Sequence, residues 1–373
     1  MKILVNISRI LVGLLFIFSG FIKANDPLGF SYKLVDYFTV FDMEFLNPMA
    51  LGMSMFICVI EIVLGFAVLL GTFMNITAWL LLLMIIFFTW LTGFSAYTGE
   101  VTDCGCFGDA IKLTPLESFI KDVILLFFIS IIFIKRNSIE LLLKEKVSRT
   151  LLAISLILPT GFTFACYTHL PKIDFRPYKV GNNIYDLMQV PDGAPLDIFE
   201  STFYYKNKTS GEVKEFPLDN LPSGDDWDFH DRTDKIIQEG YKPPIHDFSI
   251  INVDGDDYTE DFLLDEGFNF VLISYDLENA MHSNADMINA IADKASDDNY
   301  RFIGMTASTE GEINEFRDAT GAKYDFYFAD ATALKTVVRS NPGLVLLKGG
   351  VVQAKWHIND IPELTELESN YLK

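Results

Sequence analysis

The chain of 373 residues combines a positive mean hydropathy of +0.26 with a net charge of −21, and a single globular core does not explain both values. The charge lies in one half. Residues 1–170 contain 12 acidic and 11 basic side chains, whereas residues 171–373 contain 38 acidic and 18 basic ones. An apolar half therefore precedes an acidic, soluble half. This acidity argues against nucleic acid as a partner, because phosphates would be repelled.

Five apolar runs in the first half are long enough to cross a bilayer, whose hydrocarbon core needs roughly 20 helical residues. They are Ile3–Phe21, Met49–Leu70, Ile76–Thr92, Leu116–Ile134 and Leu151–Leu170. The first run has the length of a secretory signal but no clear small-x-small cleavage site, so we expect it to be retained. The sequence predicts an integral membrane α-helical bundle embedded in the lipid bilayer.

The positive charges of this half predict its orientation. The densest basic cluster separates the fourth and fifth runs and consists of Lys135, Arg136, Lys144, Lys146 and Arg149. Short basic loops stay cytoplasmic, and alternation then places the N-terminus in the cytoplasm as well. The loops at 24–48 and 95–114, and everything after Leu170, should face outward into an oxidising compartment.

The first outer loop contains the aromatic segment YKLVDYFTVF, residues 32–41. Its aromatic side chains are spaced to lie along one side of a short helix, which favours an amphipathic helix at the bilayer surface. An ordinary loop with scattered aromatic residues is the alternative.

An acidic residue, Glu61, lies in the middle of the second apolar run, MFICVIEIVLGFAVLLG. An ionisable side chain at this depth is costly unless it is paired or neutral, and it indicates a functional site. The alternative is a protonated Glu61 that only bonds a neighbouring helix. Cys58 precedes it by three residues and so lies on the same helical face.

The stretch VTDCGCFGDA, residues 101–110, holds two of the four cysteines of the chain, Cys104 and Cys106. A disulfide between them requires a bend that brings their Cα atoms within about 7 Å, and Gly105 permits it. So small a ring should be strained and therefore exchangeable. We favour a redox pair over a structural staple. We predict no metal site, since a closed tetrahedral site needs four ligands.

The remaining cysteines, Cys58 and Cys166, lie toward the same membrane face as this pair by the predicted topology. A relay through them could pass electrons toward a quinone. Each taken alone is better explained as a small buried apolar residue.

The soluble half should contain two parts. Residues 173–244 are predicted to form a small β-rich connector, with a strand–turn–strand in FESTFYYKNKTSGEVKEF and a solvated acidic patch in GDDWDFHDRTD. From residue 245 strands and helices alternate: a hairpin over Asp-Gly, the strands FNFVLISYD, RFIGMTAS, GLVLLKGG and VVQAKW, and three helices. This order predicts an α/β sheet covered by helices.

Residues 245–373 resemble the thioredoxin fold of the TlpA and peroxiredoxin type, most specifically in SNPGLVLLKGGVVQAKW. The resemblance implies that Pro342 is the cis-proline beside a client-binding edge. Asn279 and His282 of SYDLENAMHSN stand where the family has its C-x-x-C cysteines, and no cysteine follows Cys166. This domain therefore cannot exchange thiols by itself. His282 is either a catalytic replacement or, as we favour, a solvated histidine.

Residues 1–135 resemble the DoxX superfamily and, more narrowly, the methylamine utilisation protein MauE group. The matching elements are RILVGLLFIFSGFIKANDP, the intramembrane EIVLG and DCGCFGD. The resemblance implies a four-helix membrane bundle associated with periplasmic thiol–disulfide chemistry, located in the inner membrane of a bacterial cell. Residues 136–172 would then add a cytoplasmic basic loop and a fifth span.

Three functions are consistent with this sequence. The leading hypothesis is an inner-membrane component of an extracytoplasmic thiol–disulfide pathway, in which Cys104 and Cys106 exchange. The thioredoxin-like domain would dock a protein client, with Pro342, Asn279 and His282 as the predicted partner-binding residues. Whether such a component is itself an enzyme stays open. The alternatives are a non-enzymatic membrane-anchored scaffold and a subunit of a quinone-linked oxidoreductase, in which Glu61 would be the important residue.

Overall fold

The computed structural model describes residues 2–101, 103, 105–222, 226–238 and 240–372, without the side chain of residue 236. They form two compact units. The first combines Met1–Asn183 with Asp247–Lys373, and the second is Ile184–His246. The connector thus begins at residue 184 in the structure. The preceding residues 173–183, which we predicted to belong to it, lie in the first unit.

The N-terminal half of the first unit is helical, as predicted. Its helices are α1 (Lys2–Asn25), α2 (Pro27–Val40), α3 (Ala50–Leu70), α4 (Met74–Thr98), α5 (Pro115–Lys135) and α6 (Glu145–Thr168). Local chemistry sets several of their ends. The Asp26 side chain caps α2 by accepting from the Gly29 amide, and Thr114 forms a capping box with Glu117 at the start of α5. Gly71 ends α3 in the left-handed conformation.

Apolar side chains of α1, α3, α4 and α5 form the core of the bundle, among them Phe16, Val68, Leu81 and Ile129. The outer faces of these helices are also apolar, with exposed Leu14, Leu83, Phe87, Trp90 and Phe127. Helices that are apolar on every side fit a lipid environment rather than water. The structure therefore supports a membrane protein.

Within the part of the chain that the structure describes, four helical segments are long and apolar enough to cross a membrane: Lys2–Asn25, Glu44–Leu70, Met74–Thr98 and Glu145–Thr168. They correspond to four of the five predicted spans. The remaining one, α5, forms a helix of 21 residues, but it carries Glu117, Lys121 and Asp122 in its first turns. The number of membrane crossings therefore stays a prediction. The segment at 32–41 lies almost entirely in α2, so the predicted helix is confirmed and the loop alternative is wrong.

The second unit contains α7 (Ile184–Met188) and an antiparallel sheet in the order β2-β1-β3. Its strands are β1 (Ile198–Asn207), β2 (Val213–Pro217) and β3 (Trp227–Gln238). The predicted strand–turn–strand is confirmed, because β1 and β2 pair across a turn closed by Gly211 at φ +72°.

The acidic patch that we predicted to be a solvated surface is largely strand β3, which the sequence analysis missed. Its described residues place Trp227 5.3 Å from Phe216 and Phe229 5.8 Å from Tyr205, between ring centroids. Trp227 and Phe229, at alternate positions of β3, thus contact aromatic side chains of β2 and β1 despite the acid between them.

The C-terminal half of the first unit is an α/β domain of mixed pairing, with α8 (Thr259–Leu263) before the first strand. Its strands are β4 (Phe268–Ser274), β5 (Arg301–Thr306), β6 (Asp325–Phe328), β7 (Gly343–Lys348) and β8 (Val351–His357). Its other helices are α9 (Ala285–Asp297), α10 (Glu310–Thr320), α11 (Ala331–Val337) and α12 (Leu364–Asn370). The strand order is β6-β5-β4-β7-β8, with β4, β5 and β6 parallel and β7 and β8 antiparallel.

This strand order resembles the thioredoxin-like fold, as predicted. The four predicted core strands and three helices are present, and the Asn341–Pro342 peptide bond is cis. Two elements were missed, β6 and α11, because the sequence predicted neither a strand nor a helix between α10 and β7. The predicted hairpin is reduced to one bridge between Ile251 and Asp257, and α8 takes the place of a second arm.

Candidate functional site

The candidate site lies where α1 packs closely against α3. A Cβ atom built on Gly20 would lie 2.8 Å from the Cys58 carbonyl oxygen and 2.7 Å from a side-chain carbon of Ile62. Only glycine therefore allows the two helices to approach at this level. Small residues have this role in membrane helix pairs, where they let backbones come close.

This close approach brings together two buried charges, Lys23 of α1 and Glu61 of α3. The Lys23 Nζ and Glu61 Oε1 atoms are 2.5 Å apart, and the two side chains are 3% and 5% exposed. The Lys23 ammonium also lies 5.0 Å from the ring centroid of Phe30 and 5.6 Å from that of Phe88. Lys23 is therefore the partner of Glu61 on the neighbouring helix.

Ser19 connects this ion pair to the cysteine-containing loop. Its hydroxyl Oγ lies 3.1 Å from Glu61 Oε2 and 2.9 Å from the backbone carbonyl oxygen of Cys106. A serine has one hydroxyl proton, so the two acceptors share or exchange this single donor. The position of the Cys106 backbone is therefore coupled to the Glu61 carboxylate.

We call residues 101–110 the CGC loop. Thr102 and Cys104 lie outside the described residues. The predicted disulfide between Cys104 and Cys106 therefore lies outside them as well. Gly105 has φ +68°, a conformation that other residues rarely adopt. Its amide donates to Asp103 Oδ1 over 3.0 Å. Phe107 is buried, with its ring centroid 5.6 Å from that of Phe18 of α1. The loop is thus anchored on both sides of Cys106.

A second charged pair, Lys121 and Asp122 at the start of α5, lies near the first. Asp122 accepts hydrogen bonds from Lys121 and, over 3.0 Å, from Thr92 of α4. Both pairs line one small cavity of about 40 Å³. The other residues of this lining include Ser19, Phe30, Phe88, Cys106 and Phe107. Cys106 therefore shares this cavity with two ammonium groups and with the two carboxylates that pair with them.

The other predicted cysteines are buried in the helices. Cys58 is fully buried beside Ala24, Phe30 and Ile62, and Cys166 is buried near the end of α6. Among the described residues neither one forms a disulfide. Their burial agrees with cysteines that act as small apolar residues, and a relay through them stays a prediction.

The three predicted partner-binding residues lie close together in the thioredoxin-like domain. The Met281 amide donates to the Asn341 carbonyl oxygen over 2.9 Å, which links the segment of Asn279 and His282 to the cis-proline loop. Asn279 and His282 are exposed, whereas Pro342 is buried. The His282 ring packs edge-on against Phe316 at 5.6 Å between centroids.

Several residues of the site were missed from the sequence, namely Ser19, Lys23, Asp122 and Thr92. Lys23 could have been identified from the sequence, because it is the one charged residue between Arg9 and Asp26 in a long apolar helix. A buried lysine requires a counter-ion, and the acids within the other predicted spans are Glu61, Glu117 and Asp122, so the sequence did not choose between them. Ser19 and Thr92 could not have been identified in this way, since the residues to which they donate hydrogen bonds are brought near them by helix packing.

The comparisons with known proteins agree with this division of the chain. Residues 1–135 match the family described as methylamine utilisation protein MauE, and residues 199–239 match a domain of unknown function, DUF8463. The protein TlpB of Flavobacterium psychrophilum is 29% identical over 130 residues, which are 34% of this chain and 35% of TlpB. The match thus spans about a third of that relative's length.

A solved structure, that of a candidate protein disulfide isomerase from Bacteroides thetaiotaomicron, is similar over 33% of this chain and 80% of its own. Its sequence identity is 19% and its TM-score is 0.26. The thioredoxin-like fold of this protein rests on the strand order described above. A MauE-like helical domain and a thioredoxin-like domain thus belong to one chain.

Proposed function

We propose that this protein is a membrane component of an extracytoplasmic thiol–disulfide pathway, in which Cys104 and Cys106 exchange disulfides with a protein client. The observation that carries the proposal is the link from the buried Lys23–Glu61 pair through Ser19 to the Cys106 backbone. A buried ion pair is a poor source of stability, and in a membrane protein it points to function. Here it is connected to one of the two adjacent cysteines.

In the proposed reaction, one loop thiolate attacks a client disulfide, forms a mixed disulfide and releases one client thiolate. The second loop thiolate then attacks the mixed disulfide, closes the Cys104–Cys106 bond and releases the client dithiol. Two electrons pass from the loop to the client, and the reverse sequence oxidises the client. Cys106 would react beside a cavity that Lys23 and Lys121 also line, each next to its own carboxylate partner.

The exposed segment with Asn279 and His282 is the surface that we assign to client recognition. It lies at one end of the sheet, beside the cis-proline loop, where open α/β sheets usually bind their ligands. Its exposure leaves it accessible to a folded protein. Cysteines are absent from the sequence after Cys166, so we assign the exchanging sulfurs to the CGC loop and not to this domain.

We propose the inner membrane of a bacterial cell as the location, with the N-terminus in the cytoplasm and the thioredoxin-like domain outside. Contacts within the first unit support the opposite placement of the basic cluster and the thioredoxin-like domain. Asn359 donates to the Thr168 carbonyl at the end of α6, at the bundle end that carries the CGC loop. The basic cluster follows α5 at the opposite end, where Leu142 bonds the Leu70 carbonyl. An alkaline phosphatase reporter fused after Leu170 should be active, and activity of a cytoplasmic reporter there would contradict the orientation.

The direct test is to trap the loop in intact membranes by acid quenching and thiol alkylation. We expect the Cys106→Ser and Cys104→Ser variants, each with a lone loop thiol, to accumulate a mixed disulfide with a client that mass spectrometry identifies. The double-serine variant at matched protein level should form none and should lose exchange completely. A double-serine variant with wild-type behaviour in cells would favour a non-enzymatic scaffold instead.

A second candidate, a quinone-linked oxidoreductase subunit, is favoured by the side chains that line the cavity. Ser19, Lys23 and Lys121 offer hydrogen-bond donors to quinone carbonyls, and Phe30, Phe88 and Phe107 offer aromatic faces, but the cavity of about 40 Å³ would have to open to admit the ring. A bound quinone would supply a two-electron, two-proton acceptor. The double-serine variant distinguishes the candidates: quinone reduction that persists without both cysteines would assign the cavity to the second one.

A further inference from the structure

Arg339, three residues before Pro342, connects the thioredoxin-like domain to the membrane half. Its Nε atom lies 2.8 Å from Asp26 Oδ2, and its Nη2 atom donates to Asp109 Oδ2 over 3.1 Å. Asp26 caps α2, and Asp109 belongs to the CGC loop. One guanidinium therefore bridges the corner after α1 and the far side of the loop. Such a fork suits simultaneous contact with two carboxylates.

This bridge is buried, and its geometry is specific. The Arg339 side chain is 7% exposed, and a Cβ atom built on Gly29 would lie 2.7 Å from its Nη2 atom. Any larger residue at position 29 would therefore displace the guanidinium. Burial raises the pKa of Asp26, but the Arg339 and Arg176 charges outweigh burial and hold this pKa below its usual value. Both partners are charged at neutral pH.

A second contact joins the same two surfaces beside Arg339. The Tyr32 hydroxyl of α2 donates to the Tyr275 hydroxyl over 3.0 Å, and the two rings meet edge to face. The Lys335 ammonium lies 5.0 Å from the Tyr32 ring centroid and 5.5 Å from that of Tyr275. Tyr275 directly follows β4, at the end of the sheet that carries the cis-proline loop.

The segment after α6 is held to the same domain by a third group of charges. Asp174 accepts from Arg176 Nε over 2.8 Å and from Lys355 of β8. Burial raises the pKa of Asp174, yet Arg176 and Lys355 together lower it to about 2. The two side-chain bonds of Asn25 with the Ile173 backbone, at 2.7 and 3.0 Å, attach this segment to the end of α1.

We propose that the part of the sheet end formed by Arg339 and Tyr275 is an intramolecular docking surface whose occupant is the chain's own CGC loop, and that Arg339 positions this loop through Asp109. The exposed segment with Asn279 and His282 beside it remains accessible to the client. The cysteine-free domain would then retain the client-facing end of a thioredoxin-like sheet while the loop supplies the sulfur atoms. The docking rests on the contacts above. Only its role in exchange rests on the proposed function.

The test compares two arginines in the full-length protein in lipid nanodiscs. Arg339→Gln should speed hydrogen–deuterium exchange at the amides of residues 105–111 and 28–33 by roughly tenfold or more, because it leaves two acids without their partner. Arg301→Gln is the matched control, since Arg301 pairs with Asp261 and Asp265 inside the thioredoxin-like domain. It should leave both segments unchanged.

Two further variants keep the proposal open to contradiction if Arg339→Gln does not fold. Tyr32→Phe removes one hydrogen bond but keeps the ring, and it should raise exchange in the same segments by a smaller factor. Arg339→Lys keeps the charge and should restore part of the protection. Equal exchange in the Arg339→Gln and Arg301→Gln proteins, or no effect of Tyr32→Phe, would overturn the docking.

Hydrogen–deuterium exchange tests the docking of the CGC loop separately from the proposed disulfide exchange. Hydrogen exchange reports docking whether or not the cysteines react. Loss of protection in Arg339→Gln, together with a double-serine variant that behaves as wild type, would retain the docking and reject the exchange. The opposite pair of results would retain the exchange and reject the docking.

Discussion

Replacement of Lys23 by methionine should destabilise the helical half by about 3–5 kcal/mol, the usual cost of leaving a buried charge without its partner. Methionine preserves most of the side-chain volume, so the loss comes from Glu61 rather than from a cavity. The measurement is the shift in the midpoint of SDS-induced unfolding of the protein in mixed micelles. This midpoint should fall well below that of the wild type.

The surface pair Arg149–Glu145 is a matched control, because its nitrogen and oxygen are also 2.5 Å apart while its side chains are 59% and 63% exposed. Arg149→Met should cost less than about 1 kcal/mol, since water screens an exposed pair. Equal losses in the two variants would show that burial does not set the strength of the Lys23–Glu61 interaction.

The double variant Lys23→Met/Glu61→Leu separates stability from function. It should recover most of the lost stability, because replacing both members of a buried pair by apolar residues is often neutral. We expect disulfide exchange to stay low, since Ser19 would lose its carboxylate partner beside Cys106. Full exchange activity in this stable double variant would reduce the ion pair to a packing role.

A single added methyl group at Gly20 should also disrupt the site. Gly20→Ala places a Cβ atom 2.8 Å from the Cys58 carbonyl oxygen and 3.1 Å from Glu61 Cβ, and neither helix backbone can yield cheaply. Overpacking of this kind costs about 1–3 kcal/mol. The helices should separate, which would lengthen the Lys23–Glu61 contact. Thermal unfolding in detergent and disulfide exchange would both report the change.

Gly52→Ala is the control, because a Cβ atom at Gly52 of α3 has no atom within 4 Å among the described residues. Alanine is the better helix former, so this variant should be as stable as the wild type or slightly more stable. A Gly20→Ala protein that matches Gly52→Ala in stability and exchange would contradict the close packing of α1 on α3.

Local pattern was sufficient for most of the fold. Apolar runs of bilayer length predicted the helices of the first half, and alternating strands and helices predicted the core of the thioredoxin-like domain. Strand β3 was missed because its acidic composition hid aromatic residues at alternate positions. Strand β6 and helix α11 were missed because each is short, with 4 and 7 residues, and the sheet rather than the local sequence stabilises them.

By itself the sequence determined the apolar and acidic halves, the cysteine pair, Glu61 as an intramembrane acid and the proline at the end of the sheet. These features depend on composition and on neighbours within a few residues. Only the tertiary structure decided the partners: Lys23 for Glu61, 38 positions away, and Arg339 for Asp26, 313 positions away. The physical reason is that a buried charge needs a counter-charge, and the sequence contains several residues that could supply it. Helix packing at Gly20 and the space beside Gly29 determine which of these residues comes within reach.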